Sequence, residues 1–156
     1  MVSIKWCLKV KNGIELVEPS NNLAEAYIKK AEESLGLMRI TEYRDWKISI
    51  AYYSMYYSLY AILMKIGIKC EIHACTIELM KKFLPDYFSK EEYEFMLKAM
   101  GARIDVQYYV NKEVKDKLYG ELTKKPVDFL VKCKSILHKL NEDKINEIRS
   151  RIKKLK

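Results

Sequence analysis

Between Ile48 and Ile68 the chain carries one charged residue, Lys65. A run of about 20 apolar residues is long enough to cross a bilayer as a helix, so this segment has to be assigned before any other. Its middle is filled by Tyr52, Tyr53, Tyr56, Tyr57 and Tyr60, with Ser54 and Ser58 among them. Membrane spans keep tyrosine in the interfacial belts at their ends, so the stretch reads as a buried central helix instead. Tyr52, Tyr56 and Tyr60 recur every four residues and form one stripe, while Ala51, Met55, Leu59, Ile62 and Leu63 form a second. That leaves a helix apolar almost all round, which other helices must cover. Tyrosine suits such a place because its ring packs like a core residue while its hydroxyl reaches a polar group. The small residues Ala51, Ser54, Ser58 and Ala61 between the rings look like helix contacts, which favours core packing over an aromatic platform for stacking bases.

The rest of the chain supplies the covering helices. Glycine and proline are scarce, five and three in 156 residues, and apolar residues recur mainly at helical spacing, which predicts an all-α protein, an up-and-down bundle of four to five helices. Residues 1–20 read as an N-terminal extension, 21–140 as the bundle and 141–156 as a basic C-terminal helix. In the extension both a strand and a short helix fit. Ile4, Trp6, Leu8 and Val10 alternate with polar residues before the Asn12-Gly13 turn signal, yet Ile4, Cys7 and Leu8 also make one helical face. Asn22 with Glu25 predicts a capped helix that stops near Gly36, and the central helix is expected from Asp45 or Trp46 to Ile66 with Gly67 as its left-handed cap. A helix over 72–84 closes at Pro85. Ser89 and Glu92 cap the next, which ends or bends at Gly101. Residues 110–122 read as a loop and Pro126 as the first turn of a further helix. Asn141 caps or bends the chain before a last helix with solvent on most sides.

The net charge of +8 is uneven: residues 1–111 hold 15 basic and 14 acidic side chains, residues 112–156 hold 14 and 7. A basic face attracts phosphate polyanions or an acidic protein. Against that, lysine outnumbers arginine 24 to 5, and a lysine-rich helix face also serves solubility alone. Cys7, Cys70, Cys75 and Cys133 are scattered without a C-x-x-C pair, which predicts reduced thiols and neither zinc nor disulfides. The first residues lack the layout of a secretory signal, so a cytoplasmic location is expected.

No glycine-rich phosphate loop, H-E-x-x-H or G-x-S-x-G occurs. What remains is Arg103, two residues past Gly101, followed by Asp105, Gln107, Tyr108 and Tyr109. An arginine among tyrosines that can pack on its guanidinium is how a helix presents a phosphate-binding cation. Arg103 and Gln107 share a helix face, whereas Tyr108 is rotated from Arg103 by about 140° on a helix of 3.6 residues per turn. His73 is the other candidate acid or base, the alternative being that it packs beside the Gly67 corner. His138, near a helix end, is assigned no chemistry.

The segments AYYSMYYSLYAILMKIGIKCEIHA, from Ala51 to Ala74, and RIDVQYY, from Arg103 to Tyr109, resemble the HEPN domains, small helical bundles of archaea and bacteria, with the likeness covering roughly residues 20–140. Ala51, Tyr52, Tyr53, Met55, Gly67, Ile68, His73, Arg103 and Tyr108 fall on the pattern of its stand-alone branch. The resemblance implies a homodimer paired with a minimal nucleotidyltransferase, in toxin–antitoxin fashion, with no cofactor or metal. In the toxins of the family it implies metal-independent RNA cleavage by an arginine, four to six intervening residues and then a histidine. Here Tyr108 stands where that histidine would fall. A phenol with a pKa near 10 is a poor general base at neutral pH beside imidazole near 6.5. The catalytic candidates are thus Arg103, Tyr108 and His73, and the phosphate-binding ones Arg103, Gln107 and Tyr108. A nucleotide- or partner-binding module leads over a cleaving toxin and a purely structural dimer.

Overall fold

The structure is a computed structural model that describes residues 2–156. It is an all-α bundle in which the apolar run forms the central helix, α3. In chain order the described residues form α1 (Ile4–Cys7), β1 (Glu15–Leu16), α2 (Asn21–Ile40), α3 (Arg44–Ile66), β2 (Ile68–Lys69), α4 (His73–Phe83), α5 (Lys90–Tyr108), α6 (Asp116–Lys139) and α7 (Glu142–Lys153). Ile48, Tyr52, Met55, Leu59, Ile62, Leu63 and Ile66 of α3 are fully buried, as are Ala51, Ser54, Ser58 and Ala61 on its other sides, while Ile50, Tyr53 and Tyr57 are half-buried, so most of its circumference is covered, as its pattern demands. Among the described residues no helix is long and apolar enough to cross a membrane.

Three long helices surround α3. α2 returns antiparallel to it, with the Tyr27 ring 4.8 Å from that of Tyr60. α5 also runs antiparallel, bringing Arg103 to Tyr53. α6 runs parallel: Arg44 at the start of α3 pairs with Asp116 at 2.8 Å, and Lys65 near its end donates to the Leu137 carbonyl at 2.5 Å. Lys65, the lone charge of the run, thereby lays its stem along the bundle and closes its head on a free helix-end carbonyl.

Several boundaries differ from the sequence reading, each for a packing reason. The extension is helical first, with Ser3 capping α1, and its strand comes only after the turn, where Glu15 and Leu16 pair antiparallel with Lys69 and Ile68. Cys7 and Ile14 belong to the common core. The N-cap of α2 is Ser20, whose side chain accepts from the Leu23 N–H, and the helix passes through Gly36 because Leu35 and Met38 are buried on either side; a glycine costs a helix only about 1 kcal/mol. α5 opens with the expected Ser89–Glu92 capping box but runs unbroken through Gly101, between the buried Ala99 and Ala102. α6 starts at Asp116, so the loop is shorter than 110–122 and Pro126 lies inside the helix. The hydrogen bond that Pro126 cannot make to the Leu122 carbonyl is offset by burial of Leu122, Pro126, Phe129 and Leu130.

The corner after α3 locks both ends of the described chain to the bundle. Gly67 has φ 82°, and a Cβ there would lie 2.4 Å from both Arg149 Nη1 and the Val17 carbonyl oxygen, so only glycine fits. Arg149 Nη1 donates to the carbonyls of Val17, Ile66 and Gly67 at 2.8, 3.1 and 2.8 Å, placing a cation on the carbonyl end of α3. α7, capped by Asn141, is docked along one side, with Ile148 and Ile152 fully buried, and has solvent on its other sides, where Glu142, Asp143, Asn146, Glu147, Ser150 and Lys153 are exposed.

The cysteine expectation is corrected. Cys7 and Cys75 form a disulfide with a Cα–Cα distance of 5.6 Å that ties α1 to α4, while Cys70 and Cys133 are free and buried. Their sequence separation of 68 residues hid the pair; it forms because β1 pairing on β2 lays the first segment beside α4. Such a bond is ordinary in oxidising compartments and in intracellular proteins of hyperthermophiles.

Candidate functional site

Where α3, α4 and α5 meet, the tyrosines, a histidine and an arginine form one connected cluster. Tyr52 and Tyr56 are on the same stripe of α3, and Tyr53 follows the turn toward α5. His73 is the first residue of α4, placed there by the tight Gly67 corner. Its ring stacks on Tyr56 with centroids 4.1 Å apart and planes 6° from parallel, and its Nδ1 lies 2.7 Å from the Tyr52 hydroxyl. Arg103 of α5 donates from Nη1 to the Tyr53 hydroxyl at 2.8 Å, and its guanidinium carbon is 5.3 Å from the Tyr52 ring centre and 5.5 Å from that of Tyr53. Two tyrosine faces thus hold the cation by charge–quadrupole attraction and fix where it points.

The electrostatics of the cluster set what it can do. Burial, and then the Arg103 charge, push the His73 pKa down to about 4, so the imidazole is neutral at pH 7. Burial raises the Tyr52 and Tyr56 hydroxyls well above the usual phenol range, so both keep their protons. The Tyr52 hydroxyl has no other hydrogen-bond acceptor among the described residues and therefore donates to Nδ1, which leaves the His73 proton on Nε2. Nε2 can accept a proton only in the other tautomer, with Nδ1 carrying the first, and the resulting imidazolium would sit beside Arg103. The pair is suited to holding a negative group and poorly suited to shuttling protons at neutral pH.

Arg103 keeps part of its fork open. Nε is buried without a partner, and Nη2 makes no hydrogen bond among the described residues. Nη2 is therefore the arm of the fork left for an oxygen of an anion.

Of the residues singled out from sequence, the fold brings Arg103 and His73 together, bridged by Tyr52. Tyr108 ends α5, is 70% exposed and takes no part in the cluster. Because α5 is continuous, Arg103 and Tyr108 face different ways. Gln107, one turn beyond Arg103, is exposed and borders a separate small cleft with Asp45, Trp46, Ser49 and Val106. His138 lines another groove, between α2 and α6. The sequence reading missed Tyr52, Tyr53 and Tyr56 as members of the cluster. Their signal was present: buried phenols need polar partners, and the stretch of α3 that carries them has no charged side chain to offer. A scan against protein-family models and a search of curated proteins find no match for this chain.

Proposed function

We propose that this protein is a HEPN-like partner or effector module that binds the phosphates of a nucleotide or RNA at Arg103, works as a homodimer in the cytoplasm, and pairs with a minimal nucleotidyltransferase in a toxin–antitoxin-like system. The observation that carries the binding reading is the guanidinium held between Tyr52 and Tyr53 with Nη2 open, the geometry of a preorganised anion receptor. The partner and dimer readings rest on the family likeness, with exposed Tyr43, Trp46, Tyr108 and Val110 as apolar surface available to them. Titration with a fluorescent nucleotide and a short single-stranded RNA tests the binding. Arg103→Ala should weaken it about tenfold or more, as loss of a charge-assisted hydrogen bond of about 1.5–3 kcal/mol requires, and Arg103→Lys should recover only part of it because lysine lacks the fork. Equal binding by wild type and Arg103→Ala would remove the proposal.

Cleavage is the second reading, favoured by one observation: His73 shares the Arg103 cluster within a single chain. A neutral imidazole with a pKa of about 4 is a weak base, so purified protein should cut RNA slowly or not at all at pH 7. Brisk cutting that disappears in His73→Ala would reverse the ranking.

A further inference from the structure

One turn along the α3–α5 seam from the Tyr53–Arg103 contact lies a cleft of about 180 Å³ lined by Asp45, Trp46, Ser49, Val106 and Gln107. Ser49 is its unusual feature. It is 2% exposed, and its hydroxyl has no hydrogen-bond partner. The other two buried serines of α3 satisfy themselves on the preceding turn, Ser54 on the Ala51 carbonyl and Ser58 on the Ser54 carbonyl, each at 2.7 Å. Ser49 forgoes that bond and instead borders the cleft. A buried hydroxyl left without a partner is destabilising, and native proteins keep such groups where something else fills the bond. Trp46, which also lines the cleft, is 62% exposed. The Asp45 carboxylate is in no hydrogen bond or ion pair among the described residues, although its neighbour Arg44 is paired to Asp116.

We propose that this cleft receives a guanine base whose phosphate lies on Arg103. The inference rests on the phosphate reading of Arg103 given above and extends it to the rest of the ligand. A flat aromatic face beside a hydroxyl, an amide and a carboxylate is the set that stacks and reads a nucleobase. The space is about six times the 30 Å³ share of a liquid water, room for a ring system and not only for a solvent molecule. Ser49 precedes Tyr53 by four residues and Gln107 follows Arg103 by four, so base and phosphate positions are separated by about 6 Å along both helices, the span of one ribose. The carboxylate decides between purines. Guanine offers two adjacent N–H donors, N1–H and the 2-amino group, which a carboxylate accepts together, while adenine turns an acceptor nitrogen to it. Gln107 can donate its amide to O6, and Ser49 is left to bond a ring nitrogen or the same O6.

The test uses the full chain with Trp6→Phe, so that emission from the remaining one of its two tryptophans reports Trp46. Guanosine, adenosine, GMP and inorganic pyrophosphate are titrated separately. Guanosine should quench Trp46 and bind at least about tenfold more tightly than adenosine, and Ser49→Ala and Gln107→Ala should each weaken it about tenfold. Asp45→Asn should erase the preference for guanosine. Arg103→Ala should leave guanosine unaffected and abolish the advantage of GMP over it. If guanosine does not bind, binds no better than adenosine, or binds Ser49→Ala equally well, the base site is overturned and the cleft holds water only. Pyrophosphate binding lost in Arg103→Ala alongside that failure would leave the phosphate reading standing. Guanosine binding with no gain in GMP would sink the phosphate reading and keep the base site.

Discussion

His73 offers a measurable consequence of its surroundings. In the unfolded chain an imidazole titrates near 6.5, and in the fold burial and Arg103 lower it to about 4. Between those two pH values the unfolded chain holds a proton that the folded one does not, so stability rises with pH across that window. The contribution is complete above about pH 6.5 and is lost as pH falls toward 4. At 1.36 kcal/mol per pKa unit the displacement corresponds to about 3 kcal/mol, and solvent contact of a half-buried ring reduces this to about 1–2 kcal/mol. For a chain of 156 residues that is roughly 2–8 °C in melting temperature. Thermal and urea unfolding should be followed from pH 7.5 to 4 for wild type and for His73→Asn, which keeps an acceptor for Tyr52 but cannot titrate. Carboxylates titrate in both proteins, so the difference between the two curves isolates His73. Wild type should lose about 1–2 kcal/mol more than the variant over this range. Identical slopes, or an NMR titration midpoint for His73 at 6.5 or above, would refute the reasoning and free the imidazole for acid–base work.

Other expectations follow from single contacts. Gly67→Ala places a Cβ against the Val17 carbonyl and Arg149 at a φ of 82°, so it should destabilise by more than about 2 kcal/mol in urea unfolding, and adding Arg149→Ala should not restore stability because the Val17 clash remains. Ser49→Ala removes an orphaned buried hydroxyl and should leave the ligand-free protein unchanged or up to about 1 kcal/mol more stable by the same measurement. Ser89→Ala breaks the capping box of α5 and should cost about 1 kcal/mol in thermal unfolding. Tyr108→His should produce no ribonuclease activity in a gel assay, since residue 108 faces away from Arg103 on an unbroken α5; a clear gain would mean that a second chain brings the two together.

The parts of this fold set by local chemistry were legible. The uncharged tyrosine-rich run, its Gly67 stop and the Ser89–Glu92 box are each written in a few adjacent residues, and each is where the sequence placed it. The errors fell where long-range packing overrides local punctuation. Gly36 read as a stop, Gly101 as an end or bend and Pro126 as the first turn of a new helix, and all three lie inside helices whose flanking residues are buried. The Cys7–Cys75 pair depends on a two-residue strand pairing across the chain, which no spacing rule reveals. At the candidate site Arg103 and His73 stood out as lone ionisable residues, but their connection through Tyr52 did not. The stripe that marked Tyr52 as core is the same one that carries it to His73.

The disulfide has a practical consequence for every assay on this protein. Cys75 follows His73 by two residues in α4, and its bond to Cys7 anchors the first turn of that helix. The chain-entropy relation for a loop of this length gives about 4 kcal/mol for such a cross-link. Preparations made with and without thiol reagents are therefore two different samples, one with the imidazole on a tethered helix and one without. Both sulfurs are fully buried, so reductant reaches them only when the chain opens, and a briefly treated batch would be a mixture of the two. Free-thiol counting before each titration, expecting two thiols in oxidised protein from Cys70 and Cys133, separates chemistry at the cluster from the history of the sample.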